Sequence, residues 1–398
     1  GVALELQDGS QRHLHGHVSS FGLAGVSSGF CQYRMTVQPW LMFLARRANN
    51  RIFQEKSVKD ILEVIFNECP ASPKFRFQLS QAHPVWEYCV QYRETDFNFV
   101  SRLMEQEGIY YYFEHTADGH TMVLVDSVDS HEPCAGSCSS IPFVLQSGSS
   151  GLMETEYINH WQLTNSLQPG KTTIRDYDFK KSKQLLEGTL SNAIVAPDGE
   201  MEIYDFPGDF LVNGEGRQYA RIRLEELQSQ HLRVQGGGTA RGIACGHTFE
   251  LTDHPRDDQN IKHLVLSTHL QCRLSAHEAG GGGDTHVSCS FTAAPASTPF
   301  RPQRITPKTF VQGPQTAVVV GPAGEEIHCD EFGRVKVQFF WDREGKKDDK
   351  SSCWIRVSHP WAGKGWGAIS IPRIGQEVIV DFIEGDPDHP IITGRVYN

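Results

Sequence analysis

The chain has 398 residues, a formal net charge of −11, 37 Gly, 20 Pro and 10 Cys. That length favours two to four domains over one hydrophobic core, and the acidic balance argues against nucleic acid or an anionic membrane as main partner. No apolar run approaches the ~18 residues needed to span a bilayer, and Gly1-Val-Ala-Leu-Glu-Leu6 has neither the basic nor the apolar region of a signal peptide.

Glycine and proline scattered between Val- and Phe-rich segments predict a mainly β fold with a few α-helices. The opening residues read as mid-strand, as if cut from a longer protein. The cysteines form no CxxC pair, Cys134 and Cys138 being the nearest approach, so the expectation is mostly buried cytosolic thiols without a disulfide framework or metal spacing.

From Gly9 to Phe21 the pattern alternates, which puts His13, His15 and His17 on one strand face and Leu14 and Val18 on the other. Three histidines at period two could ligate a metal. One strand brings three rings to a common point only with difficulty, and no acidic or Cys partner stands nearby, so a polar strand face is expected.

Residues 57–69 predict the clearest helix. Ser57 can cap it, Asp60 follows three residues on, and Val58, Ile61, Leu62 and Ile65 mark one face before Cys69-Pro70 ends it. A second helix over 96–107 carries Val100, Leu103 and Met104 and stops at Gly108, a natural left-handed cap. Ile109–Phe113 and Thr121–Val125 then read as paired strands across Ala117-Asp-Gly119. Their tyrosines invite a base-stacking reading, which Glu105, Glu107 and Glu114 oppose; a packed strand is the expectation.

Cys134–Gly151, rich in Ser, Gly and Cys, reads as a connecting loop. Within it Ser147-Gly-Ser-Ser-Gly151 lacks the spacing of a serine-hydrolase elbow and its strand–turn–helix setting, so a linker is expected. A third helix spans 215–230, with Ala220, Leu224 and Leu227 aligned, and ends before Gly236-Gly-Gly238. Strands resume at Gly246–Pro255 and Ile261–Leu270. Asp253, His254, Asp257 and Asp258 look like a ligand cluster, but Pro255 and the polar surroundings suggest an exposed loop. Gly280–Gly283 reads as a loop tip, and five prolines between Ala293 and Pro314 as an extended linker.

Asp330-Glu-Phe-Gly333 turns the chain into a strand whose Val335, Val337 and Phe339 share a face. A charge-balanced loop from Asp342 to Lys350 and a strand at Cys353–Val357 follow. In Glu377–Ile383, Val378, Val380 and Phe382 fall on one side and Glu377, Ile379, Asp381 and Ile383 on the other, so both faces are partly apolar and both are expected to touch something. Gly385-Asp-Pro-Asp-His-Pro390 forces a tight connection. Asp386 and Asp388 could ligate a divalent ion, although two carboxylates in a turn more often cap backbone amides.

The run from Asp330 to Asp342 and the run from Ser351 to Asn398, taken in order and nearly without gaps, resemble the OB-fold module of VgrG proteins. These form the trimeric spike of bacterial type VI secretion systems and are similar to the hub and spike of contractile-tailed phages. Val90–Tyr110 and Gly246–Pro255 resemble the hub-like region of the same family. The resemblance implies a phage-hub-like region over 1–306 made of two interleaved β-barrel-type domains, a Pro-rich linker at 293–314 and an OB-fold β-barrel at 315–398. It implies a homotrimer on a hexameric secretion tube, with effector or tip proteins at the C-terminal end, cytoplasmic before firing and then secreted. It also implies a needle beginning where this chain stops.

No HExxH, Walker A or Rossmann pattern occurs, so no catalytic residue, cofactor or metal site is assigned. The alternative function, an envelope-degrading hydrolase hub on a phage-like tail, needs a carboxylate pair or zinc site in an inserted domain, for which the chain leaves little room. Ile379 and Ile383 are the candidate trimer contacts.

Overall fold

The computed structural model describes residues 1–27, 30–145, 156–192, 201–274 and 285–398. They form a mainly β molecule in two compact units that alternate along the chain. The first takes Gly1–Trp40, Pro73–Ala82 and Glu105–Gln303; the second takes Leu41–Ser72, His83–Met104 and Arg304–Asn398.

The largest element of the first unit is a six-stranded sheet. Its spatial order is Ser140–Pro142, Thr248–Thr252, Lys262–Leu274, Thr285–Pro295, Leu232–Gly238 and Ile158–Asn165. Its buried face gathers Ile158, Val234, Phe249, Leu251, Val265 and Phe291 around Cys134 and Cys138. The segment expected as a plain loop from Cys134 therefore contributes a helical turn (Gly136–Ser139), an edge strand and two core thiols. Gly236–Gly238 lies inside a strand, because a Cβ at Gly236 would overlap the Phe291 ring. The Ser147–Gly151 and Gly280–Gly283 stretches fall outside the described residues.

A smaller sheet, ordered Leu186–Ser191, Lys171–Asp176 and Glu202–Asp205, packs on the helix Asn213–Gln228 through Ile174, Leu186, Tyr219, Ala220 and Ile222. A third sheet pairs Tyr110–His115 with His120–Val125, and the latter with Lys74–Gln78 in parallel. Tyr112 is buried beneath Gly246 and Tyr110 meets Phe300 edge-on at 4.8 Å, so these tyrosines are packing residues. The segment after Pro295 is pinned at Arg301, whose buried guanidinium donates to the carbonyls of Gly108 (3.1 Å) and Asp126 (2.6 Å) and pairs with Glu225.

In the second unit Ala48–Ser57 pairs with Val85–Thr95 and leads into the helix Val58–Asn67. That helix starts as its sequence prescribes: Ser57 accepts from the Asp60 amide, and Asp60 accepts from the Ser57 amide. Five strands follow, ordered Lys336–Phe339, Gln315–Val320, Glu377–Phe382, Pro390–Val396 and Arg356–Val357. A two-way backbone bridge between Val335 and Ile355 (3.0 and 2.8 Å) joins the outer strands and closes the barrel. Val319, Val337, Phe339, Ile355, Val378, Val380 and Ile392 fill it. No helix among the described residues is long and apolar enough to cross a membrane.

Candidate functional site

The histidines do not share a strand face. The strand breaks at His15-Gly16, where a Cβ on Gly16 would stand 2.7 Å from the Gln38 carbonyl. The break turns His15 toward histidines of another sheet. The Trp40 amide donates to His120 Nε2 at 2.9 Å, so the His120 proton sits on Nδ1, 3.0 Å from His15 Nδ1. The His15 amide in turn donates to His115 Nδ1 at 3.1 Å. The His17 ring stands 5.7 Å from that of His120. Burial, then the neighbouring His115, His15 and His17, lowers the His120 pKa from its usual 6.5 to about 4. This is an interlocked imidazole cluster that ties three strands around a neutral His120.

The 253–258 cluster is a self-contained loop. Arg256 pairs with Asp258, both largely exposed, and Asn260 accepts from the His254 amide at 2.8 Å. At the Gly385–Pro390 turn the carboxylates act on backbone and lysine. Asp386 accepts from the Asp388 amide (2.9 Å), Asp388 accepts from the Val90 amide (2.6 Å), and Lys308 Nζ reaches both carboxylates at 2.6 and 2.8 Å.

Other buried charges are likewise spent on neighbours. Arg102 and Glu94, both nearly inaccessible, pair at 2.8 Å while Arg102 also donates to the Val90 carbonyl. Arg51 donates to Gln91, and Gln91 to Asp96. The Cys138 thiol donates to Glu156 at 2.7 Å, and burial pushes its pKa well up, the reverse of an activated nucleophile. All ten cysteines are free thiols, five of them buried. A recess of about 410 Å³ in the second unit is lined by Gln54, Glu55, Glu87, Lys336, Lys350, Cys353 and Trp354, with the Lys336 ammonium 5.0 Å from the Trp354 ring centre; burial, then the charge of Glu87, pushes the Cys353 thiol pKa well up, the reverse of an activated nucleophile.

Ile379 and Ile383 do not lie on one strand face. The strand ends at Phe382, its register against Pro390–Val396 shifts between Ile379 and Val380, and Ile383 opens a 3-10 turn. Ile379 is half-buried over Gly394, and Ile383 is 48% exposed. Apolar groups of this unit more exposed than Ile383 include Phe310, Phe340, Trp361, Trp366 and Ile369. Periodicity missed them because Trp361 and Trp366 belong to a hairpin with two-residue strands, too short to show a pattern.

In the first unit the exposed apolar surface is concentrated on a two-stranded ribbon, His17–Ser27 with Phe30–Gln38. The register sets Val18 opposite Val37, Phe21 opposite Met35, Leu23 opposite Tyr33 and Val26 opposite Cys31. Register shifts after Val18 and after Leu23 restore the same face each time, which hides it from a period-two reading.

The profile of the phage tail baseplate hub (GPD) family matches residues 1–275, and that of the type VI secretion system/phage-baseplate injector OB domain matches residues 316–397. The chain is 46% identical over 400 residues to the type VI secretion system spike protein VgrG1b of Pseudomonas aeruginosa, covering 100% of this chain and 53% of that protein. It is 36% identical over 397 residues to the spike protein VgrG3 of Vibrio cholerae, covering 99% and 38% respectively. It thus spans about half or less of the length of these relatives. Among solved structures it is similar to an Escherichia coli type VI secretion component described as resembling the T4 tail proteins gp27 and gp5, with a TM-score of 0.68, 21% identity and coverage of 99% of this chain and 86% of that one. A chain of the Francisella PdpA–VgrG complex gives a TM-score of 0.60 at 11% identity, covering 96% and 58%.

Proposed function

The chain belongs to the phage tail baseplate hub family, among the VgrG-type spike proteins of type VI secretion systems, and on that premise we propose that it is the hub and OB-fold base of a secretion spike. Three copies would assemble on the hexameric tube, with effector or tip proteins carried at the C-terminal end. The protein would be cytoplasmic until firing and then leave with the tube. The observation that carries this reading is the order of the two family profiles, hub then injector OB domain, along a chain whose whole length aligns with spike proteins.

The work of such a part is mechanical. A closed barrel has no free edge to fray, and its joined copies bury further surface. The described carboxylates and thiols discussed above are committed to caps, ion pairs and core, which supports a non-enzymatic role and disfavours the hydrolase hub. Ile379 and Ile383 remain proposed interchain contacts. Deleting the intact protein from a secreting strain should abolish release of the tube subunit, and resupplying it should restore release. Continued release without any spike protein of this type would refute the reading, and peptidoglycan cleavage by the purified chain would favour the hydrolase.

A further inference from the structure

We propose that the recess of the second unit binds a short zwitterionic peptide, its ammonium end toward Glu55 and Glu87 and its carboxylate end toward Lys336 and Lys350. All four residues line a volume of about 410 Å³, within the ~300–1,000 Å³ typical of small-ligand sites. The two glutamates stand on paired strands. The ladder runs Gln54 opposite Tyr88 and then Lys56 opposite Trp86, which sets Glu55 against Glu87. Like charges opposed on neighbouring strands repel, so this wall gains from a bound cation. Adjacent residues of a regular strand point to opposite faces, yet Gln54 and Glu55 both line the recess. Glu55 does so with a left-handed φ of +50°, a backbone conformation uncommon for any residue with a side chain.

The facing wall is basic and held in place. The Lys336 ammonium donates to the Asp349 carbonyl at 2.7 Å and stands 5.0 Å from the Trp354 ring centre. Lys350, next along the chain from Asp349, is exposed. Cys353 lies between the walls: after burial, Glu87 raises its thiol pKa, while Arg334 and Lys336 lower it. Among the described residues Glu55, Glu87, Lys336 and Lys350 form no ion pair. The recess therefore holds two carboxylates and two ammoniums that do not meet one another.

This charge pattern selects the ligand. A simple cation would meet the two lysines and a simple anion the two glutamates. A molecule with one charge of each sign at its two ends is matched to both walls. Between those ends the recess offers amide chemistry. Gln54 Nε2 donates to the Lys350 carbonyl at 2.7 Å, which leaves the Gln54 Oε1 to accept a ligand N–H. A peptide supplies that N–H, and a betaine does not. The site is one of binding, not turnover, and the inference rests on the second unit alone, beyond the spike reading.

The test titrates the purified chain with trialanine by isothermal titration calorimetry at low salt, where a single site per chain is expected. N-acetyl-trialanine lacks the ammonium and trialanine amide lacks the carboxylate. Each should bind about tenfold or more weakly, the loss of one charge-assisted contact. Glu87→Gln and Lys350→Gln, both at exposed positions, should each weaken trialanine binding while keeping the wild-type circular dichroism spectrum. No binding of trialanine, equal affinity for the capped peptides, or undiminished binding in both variants would overturn the proposal. Should a variant misfold, the capped-peptide comparison on the unsubstituted chain still decides. None of these outcomes bears on tube release, so failure here leaves the spike reading standing, and failure of that reading leaves this site standing.

Discussion

Asp388 holds the amide of Val90 at 2.6 Å and the ammonium of Lys308 at 2.8 Å from a side chain that is nearly inaccessible. As a plain turn cap, Asp386 should cost about 1 kcal/mol when replaced by Ala. The bond to Val90 joins the turn to a strand almost 300 positions away, which no local pattern encodes. Asp388→Ala should therefore cost more than Asp386→Ala, about 1–3 kcal/mol because a strand amide loses its partner; equal urea midpoints for the two variants would contradict this. His120 gives the pH counterpart. Its folded-state pKa is depressed from 6.5 to about 4, so the unfolded chain binds more protons between those values. Its contribution is complete above about pH 6.5 and is lost as pH falls toward 4. His120→Gln should flatten that part of the stability profile, read as denaturant midpoint against pH, with little change in slope above pH 7.

Helices were legible from the sequence because their signals are local. The helix Val58–Asn67 has its capping box and apolar face within twelve residues, and the helix Asp96–Glu107 stops at Gly108, which adopts the left-handed φ of +69°. Ser57→Ala should cost about 1 kcal/mol through the lost cap, measurable as a shift in the urea midpoint. The ribbon was not legible, since each register shift moves the apolar phase by one residue and the period-two count fails there. The histidine cluster was legible as residues and not as a site, because His115 and His120 reach His15 only through sheet pairing and a break at Gly16. Turn glycines lie between these cases. Gly385 adopts φ +71° and a Cβ there would overlap the Phe310 ring. Gly385→Ala should thus combine a left-handed penalty of about 1–2 kcal/mol with about 1–3 kcal/mol of overpacking, and calorimetry on the purified chain should show a clear loss.

At the scale of the molecule, the closing barrel was readable as a family pattern, while the grouping of Leu41–Ser72 and His83–Met104 with Arg304–Asn398 in one compact unit was not. Nothing at Trp40-Leu41 or Met104-Glu105 marks a change of unit, since such boundaries are set by tertiary contacts and carry no turn or linker chemistry. The same limit shapes the assembly prediction. Sequence alternation makes Ile379 and Ile383 equivalent, and the structure separates them. Ile379 is half-buried against Gly394, and an Asp there gives up apolar burial and desolvates a charge. Lost assembly in Ile379→Asp would therefore mix misfolding with a lost contact. Ile383 stands on a turn, half-exposed, where a polar substitution should change stability by no more than about 0.5 kcal/mol. Ile383→Asp alone is the discriminating variant. If the OB unit meets its copies through this turn, the variant should keep the wild-type circular dichroism spectrum, scatter light at a lower mass and fail to support tube release. Wild-type mass and wild-type release in Ile383→Asp would remove the turn from the interchain contacts.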